Sequence, residues 1–261
     1  MSGSRVRWLV TASVSVLCAC AGESGTVEVA GECADANQAQ VCTWATMQGD
    51  AVVEFGATIP LAAIENAPRE VAMAWPPLSV AAIDLPDAAG ASGFDHMTIY
   101  WEPMGHGPAT YMVPHFDFHF YTIASADRLS IDCADESKPS ALPAAYSLPD
   151  EELPPEIAEA IGVSTLVGVC VPEMGMHALP TAELASTETF NGTMVIGYYR
   201  GQNIFIEPMI AQSLLLERRS FDIPVPAVPG LEGTQPTTFQ AIYDADQDAY
   251  RFVFSGMASP N

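Results

Sequence analysis

Between Asp95 and Tyr121 the apolar positions fall at every second residue. Met97, Ile99 and Trp101 alternate with His96, Thr98, Tyr100 and Glu102, and Phe116, Phe118 and Phe120 alternate with His115, Asp117, His119 and Tyr121. Successive side chains of a strand point to opposite faces, so each run predicts a strand with one dry face. The connection Pro103-Met-Gly-His-Gly-Pro108 is rich in glycine and proline, and the whole stretch reads as a long-looped β-hairpin with His106 at its tip.

Elsewhere the 21 prolines punctuate short apolar runs instead of long helical periods. This predicts a mostly β fold, a single antiparallel sandwich or barrel-like domain with a few short helices. One surface helix is expected in residues 149–161, where acids precede Ile157 and Ile161 and Gly162 closes the run. No internal repeat or long low-complexity tract is visible.

The N-terminus has a different pattern. Arg5 and Arg7 precede the apolar run Trp8 to Ala19, which is shorter than the roughly 20 residues of a transmembrane helix and fits the central region of a signal peptide. Leu17-Cys18-Ala19-Cys20 resembles a bacterial lipobox, with Cys20 as the lipid acceptor. The rival reading is an ordinary signal-peptidase site at Ala19-Cys20-Ala21, which would release a soluble chain. Ala21 stands where an inner-membrane retention signal usually has Asp, so the expected destination is the outer membrane, with the membrane as a partner through the N-terminal lipid. The expected organisation is a signal peptide over 1–19, a lipidated flexible tether over 20–46 and a β-rich domain over 47–261.

Removing residues 1–19 leaves 242 residues, enough to bury a sizeable core. Seven basic residues then face 32 acidic ones, a formal charge of −25. With Lys138 as the sole lysine no basic stripe exists, so nucleic-acid binding is excluded. The acidity also has a plain reading, since negative charge keeps a protein soluble. Four cysteines follow Cys20, and an even count in an oxidising compartment implies two disulfides. Three pairings are possible for Cys33, Cys42, Cys133 and Cys170, the most economical joining Cys33 to Cys42 and Cys133 to Cys170. A cysteine zinc site is the alternative, although no CxxC spacing occurs.

Three of the five histidines lie between positions 106 and 119. Imidazole and carboxylate are the usual ligands of zinc and other first-row divalent ions, and His115, Asp117 and His119 share one strand face. At roughly 3.3 Å per residue His115 and His119 stand about 13 Å apart, so one regular strand cannot close a site alone. Two strand ligands plus His106, His177 or Glu207 could. A buried hydrogen-bonded network and a solvated polar face are the competing readings of the same pattern.

The stretches Gly93 to Pro108 and Val113-Pro-His-Phe-Asp-Phe-His-Phe-Tyr121, with Met174-Gly-Met-His177 and Ile204-Phe-Ile-Glu-Pro-Met-Ile210, resemble a family of uncharacterised exported bacterial proteins. Its founding structure is a sigma-E-regulated protein from a thermophile, and the similarity runs over about residues 50–255. The resemblance implies a β-rich exported domain that self-associates as a homo-oligomer, without naming a reaction. Glu102 departs from it, since an Asn usually stands there, and the cysteine pairs are peculiar to this chain.

No Gly-x-Ser-x-Gly elbow, phosphate-cradling glycine loop or paired-carboxylate motif is present. A cupin would use a His-x-His pair, whereas the spacing here is His-x-x-x-His. Two readings of function remain. In the first, the histidine patch holds a divalent metal that activates water or binds a small ligand. In the second, the domain is a non-enzymatic structural or interaction module of the cell envelope.

Overall fold

The structure, a computed structural model, describes residues 25–229, 231 and 234–258. The signal-peptide and lipid-acceptor expectations, including Cys20, fall outside those residues. Among the described residues no helix is long and apolar enough to cross a membrane.

Among the described residues the strands form three antiparallel sheets and no closed barrel. The first sheet contains β1 (Thr26–Ala36), β2 (Ala39–Gln48), β3 (Ala51–Pro60), β13 (Phe221–Pro224), β14 (Thr238–Asp244) and β15 (Ala249–Ser255). Their spatial order is β1-β2-β3-β15-β14-β13. The second contains β4 (Ala81–Asp84), β5 (His96–Glu102), β6 (His115–Tyr121), β7 (Tyr146–Ser147), β10 (Met176–Pro180), β11 (Gly192–Tyr199) and β12 (Gln202–Ala211), ordered β4-β5-β6-β12-β11-β10-β7. A small third sheet pairs β8 (Glu151–Glu152) with β9 (Thr165–Leu166). Five short α-helices among the described residues occupy the connections: α1 (Leu61–Glu65), α2 (Ser125–Leu129), α3 (Pro155–Ile161), α4 (Thr181–Leu184) and α5 (Gln212–Leu215).

The two large sheets pack face to face through the alternating phenyl groups of β6. Phe118 meets Phe252 edge to face with ring centroids 4.8 Å apart, and Phe120 meets Phe254 at 5.0 Å. Phe116, Phe118 and Phe120 are all buried in one continuous apolar core. Burial of such rings, about 1.5–3 kcal/mol each, fixes the register of the strand that carries them.

The hairpin is present as expected, with β5 and β6 paired from His96–Tyr121 to Glu102–His115. Three points are corrected or closed, the first being the open choice between a buried and a solvated polar face. The other face of β5 and β6 is not in solvent: His96, Thr98, Tyr100, His115, Asp117, His119 and Tyr121 are all buried. The cover comes from the chain after the hairpin, and a second apolar cluster, including Tyr111, Tyr121, Ile131, Leu179 and Phe205, forms beneath it. The central strands are therefore sandwiched on both sides.

The second correction concerns residues 20–46. From Thr26 onward they are no tether but the strands β1 and most of β2, with Val41, Thr43, Trp44 and Ala45 buried. Edge strand β1 is mostly exposed and carries small polar residues, so it shows none of the alternation by which a half-buried strand is recognised. The packed domain thus begins about twenty residues earlier than Met47. The expected helix also starts later than residue 149, at Pro155, because Glu151 and Glu152 pair in β8; it ends as expected at Gly162, which has a left-handed φ of 76°.

Both economical disulfides form. Cys33–Cys42 ties neighbouring strands β1 and β2, and Cys133–Cys170 ties two parts of the cover across 37 positions of sequence. A loop of that size corresponds to about 3–4 kcal/mol of stabilisation in the chain-entropy picture.

Candidate metal centre

The buried polar face of β6 divides into two sets of three. His115 and Asp117 meet His106 from the hairpin connection, and His119 meets Glu207 of β12 and His177 of β10; within each set the ligand atoms lie within 4.8 Å of one another. Sheet register explains the second set. Phe205 pairs with Tyr121 and Met209 with Asp117, which brings Glu207 opposite His119. The separation of His115 from His119 prevents a single shared site, as strand geometry requires, and each histidine finds separate partners.

His106 does not stand out as a loop tip. The connection folds back at Gly105, which has φ 68°, and a Cβ there would lie 2.2 Å from the Tyr111 carbonyl oxygen. Only glycine fits that left-handed position so close to backbone. The fold-back sets His106 Nε2 3.1 Å from His115 Nε2, while His115 Nε2 lies 3.3 Å from Asp117 Oδ1 and His106 Nε2 3.8 Å from Asp117 Oδ2. In the second set His119 Nε2 is 3.4 Å from His177 Nε2 and 3.5 Å from Glu207 Oε2.

Three of these imidazoles have the other ring nitrogen committed to the backbone. Nδ1 of His106, His115 and His177 faces the carbonyl oxygens of Gly107, Val113 and Val169 at 2.9, 2.7 and 2.8 Å. A carbonyl only accepts, so Nδ1 donates and the neutral ring presents a bare lone pair at Nε2. This is the outer hydrogen bond that orients histidines on a metal. The Val169 carbonyl belongs to the segment held by the Cys133–Cys170 disulfide, so the bridge in the cover also steadies His177.

The electrostatics of the two sets differ. Burial disfavours the charge on His106, yet its contact with Asp117 outweighs this and pushes the imidazole up to about 9. Because 43 % of its side chain is exposed, solvent weakens that pull. His115 is lowered by burial. Burial works against the Asp117 charge, but His115 and His106 beside it hold the carboxyl below its ordinary range. In the second set burial drives His119 well down and His177 down to about 4, while burial and the Asp117 charge drive Glu207 well up. Among the described residues Asp117 Oδ1, His119 Nδ1 and Glu207 Oε2 are buried without a hydrogen-bond partner. Such orphans cost about 1–3 kcal/mol each and call for an explanation.

Both sets open into one cavity of about 500 Å³. Its polar side presents His106, Asp117, His177, Glu207 and Glu102; its apolar walls include Leu153, Ile157, Leu166, Val171, Met174 and Leu179. Glu102 was not among the ligands expected from sequence. It pairs across the hairpin with His115, and burial beside Asp117 raises its carboxyl to about 7. The period-two pattern that selected His115 and Asp117 puts Glu102 on the matching face of β5, so the signal was present. Buried Arg128, whose Nη1 donates to the Glu173 carbonyl at 2.9 Å and whose guanidinium lies over the Tyr121 ring, had no such signal.

The fold and these side chains define a β-sandwich with two His-His-carboxylate triads on one cavity. A family model described as TTHB210-like, hypothetical protein TTHB210, matches residues 48–101. The match spans β3 to β5 and stops before all six candidate ligands, so it supports an uncharacterised domain family over the first part of the resemblance. No curated protein and no solved structure matches the chain.

Proposed function

We propose that this chain is an exported, lipid-anchored domain of the outer membrane that binds divalent metal of the zinc class, one ion in each triad. The observation that carries the reading is the approach of paired imidazole nitrogens, 3.1 Å for His106 and His115 and 3.4 Å for His119 and His177. With both rings neutral His106 and His115 present facing lone pairs, so the contact needs positive charge between them, and a divalent ion can take the place of the proton that His106 otherwise holds there. Ligands about 2.0–2.1 Å from a tetrahedral zinc stand about 3.3 Å apart, close to the separations found. Each triad supplies three protein ligands, the number that leaves a fourth position open for water or a ligand.

The ion must displace protons. In the first triad the proton is the one on His106, raised to about 9, and in the second burial favours the protonated form of Glu207 and the neutral forms of His119 and His177. Zinc uptake is therefore expected to release protons and to weaken as the pH falls. Calorimetric titration of untagged protein in buffers of different ionisation enthalpy measures this, and uptake without net proton release would contradict the assignment.

Export and anchoring rest on the N-terminal pattern and gain support from the two disulfides. With β1 beginning at Thr26, the five intervening residues after Cys20 reach at most about 20 Å when extended. Lipid at Cys20 would hold the sandwich close against the bilayer instead of lifting it away. Cys20→Ser should move the protein from the membrane to the soluble fraction, and unchanged membrane attachment would rule out the anchor.

A further inference from the structure

The cavity is larger than two metal ions require, and its lining combines ionisable and aliphatic side chains. Four carboxyl residues line it, namely Glu102, Asp117, Glu151 and Glu207, so without ions the lining offers no excess of positive charge to an acid. A divalent ion in each triad makes that triad locally positive, because it contains only one carboxylate against two positive charges. The open fourth position of each ion then favours an oxygen ligand. The lining also includes aliphatic side chains from the cover, Leu153 and Ile157 among them, that can be removed from water only by an apolar partner. A volume of about 500 Å³ lies within the range of pockets that enclose a small organic molecule.

We propose that the cavity takes a small amphiphile, with a carboxylate head on the metal-bearing side and an aliphatic body against Leu153, Ile157 and Val171. The proposal rests on the metal reading above. The cover that would close over the body is lightly held: helix α3 lines the cavity through Ile157 yet has no buried residue and no side-chain cap. Segments with so few buried contacts open at low free-energy cost, which gives the ligand an entry route.

Decanoate is the probe, measured by calorimetry against zinc-loaded and chelator-stripped full-length protein, with acetate and decanol as head-only and body-only controls. Zinc content is determined on every sample. Zinc-loaded protein should bind decanoate at least about tenfold more tightly than stripped protein, acetate or decanol should bind correspondingly weakly, and Ile157→Trp should lose the decanoate at unchanged zinc content. Leu153→Trp, which fills the same wall from another segment, serves if the first variant folds poorly. Full zinc content with no decanoate binding, or with binding equal in stripped protein or in both Trp variants, overturns the amphiphile while leaving the metal site standing. Absence of zinc uptake overturns both.

Discussion

Replacing His119 with alanine is expected to lower zinc content from about two ions per chain to about one. His119 is central to its triad: its Nε2 lies 3.4 Å from His177 and 3.5 Å from Glu207. Loss of an outer hydrogen-bond partner alone typically weakens a metal site 10–100-fold, so loss of the ligand should exceed about 100-fold. The first triad, on the other side of Asp117, should keep its ion. The ion-free variant should also melt below the ion-free parent, since truncation leaves a void against Phe205 and removes the Nε2 contacts to His177 and Glu207. Elemental analysis and thermal melts on the same untagged samples separate the readings. A parent that takes up no zinc, with a variant that melts lower, would leave a hydrogen-bonded core network instead. A variant that retains both ions would show that the second triad is no site.

The ligands of the two triads were legible in sequence to different degrees. His115, Asp117 and His119 were legible because burial of Phe116, Phe118 and Phe120 forces their alternation, and alternation is local. Strand rise also ruled out His115 and His119 sharing an ion, which the two separate triads respect. Which distant residue joins which strand residue was not legible. That His177 meets His119 depends on strand order β6-β12-β11-β10, and that His106 meets His115 depends on the fold-back at Gly105. Neither is encoded in a local period.

The same distinction accounts for the misread elements. Period-two alternation reports one dry face, but it cannot tell a wet second face from one that a later segment covers, so the burial of His96, Thr98 and Tyr100 was missed. Strand β1 failed in the opposite sense. It is held by backbone pairing to β2 and by Cys33–Cys42, not by an apolar face, and its letters resemble a linker.

The core beneath the site carries the second large effect, for Phe118→Ala should destabilise the ion-free domain by about 3–5 kcal/mol. Phe118 is fully buried, lies 5.8 Å from Phe116 and packs edge to face on Phe252 of the opposite sheet. Truncation leaves a void between two sheets that cannot close without shifting both. The backbone of β6 remains paired to β5 and β12 on either side, so Asp117 and His119 keep their places in every molecule that stays folded. Zinc affinity per folded molecule should accordingly change much less than stability. Urea denaturation of stripped protein, with zinc titration at low urea, measures the two quantities separately. A stability loss below about 1 kcal/mol would mean that the phenyl face is not the scaffold of the site. Loss of zinc binding at full folding would mean that strand pairing alone cannot hold the triads, and that ring packing sets ligand geometry directly.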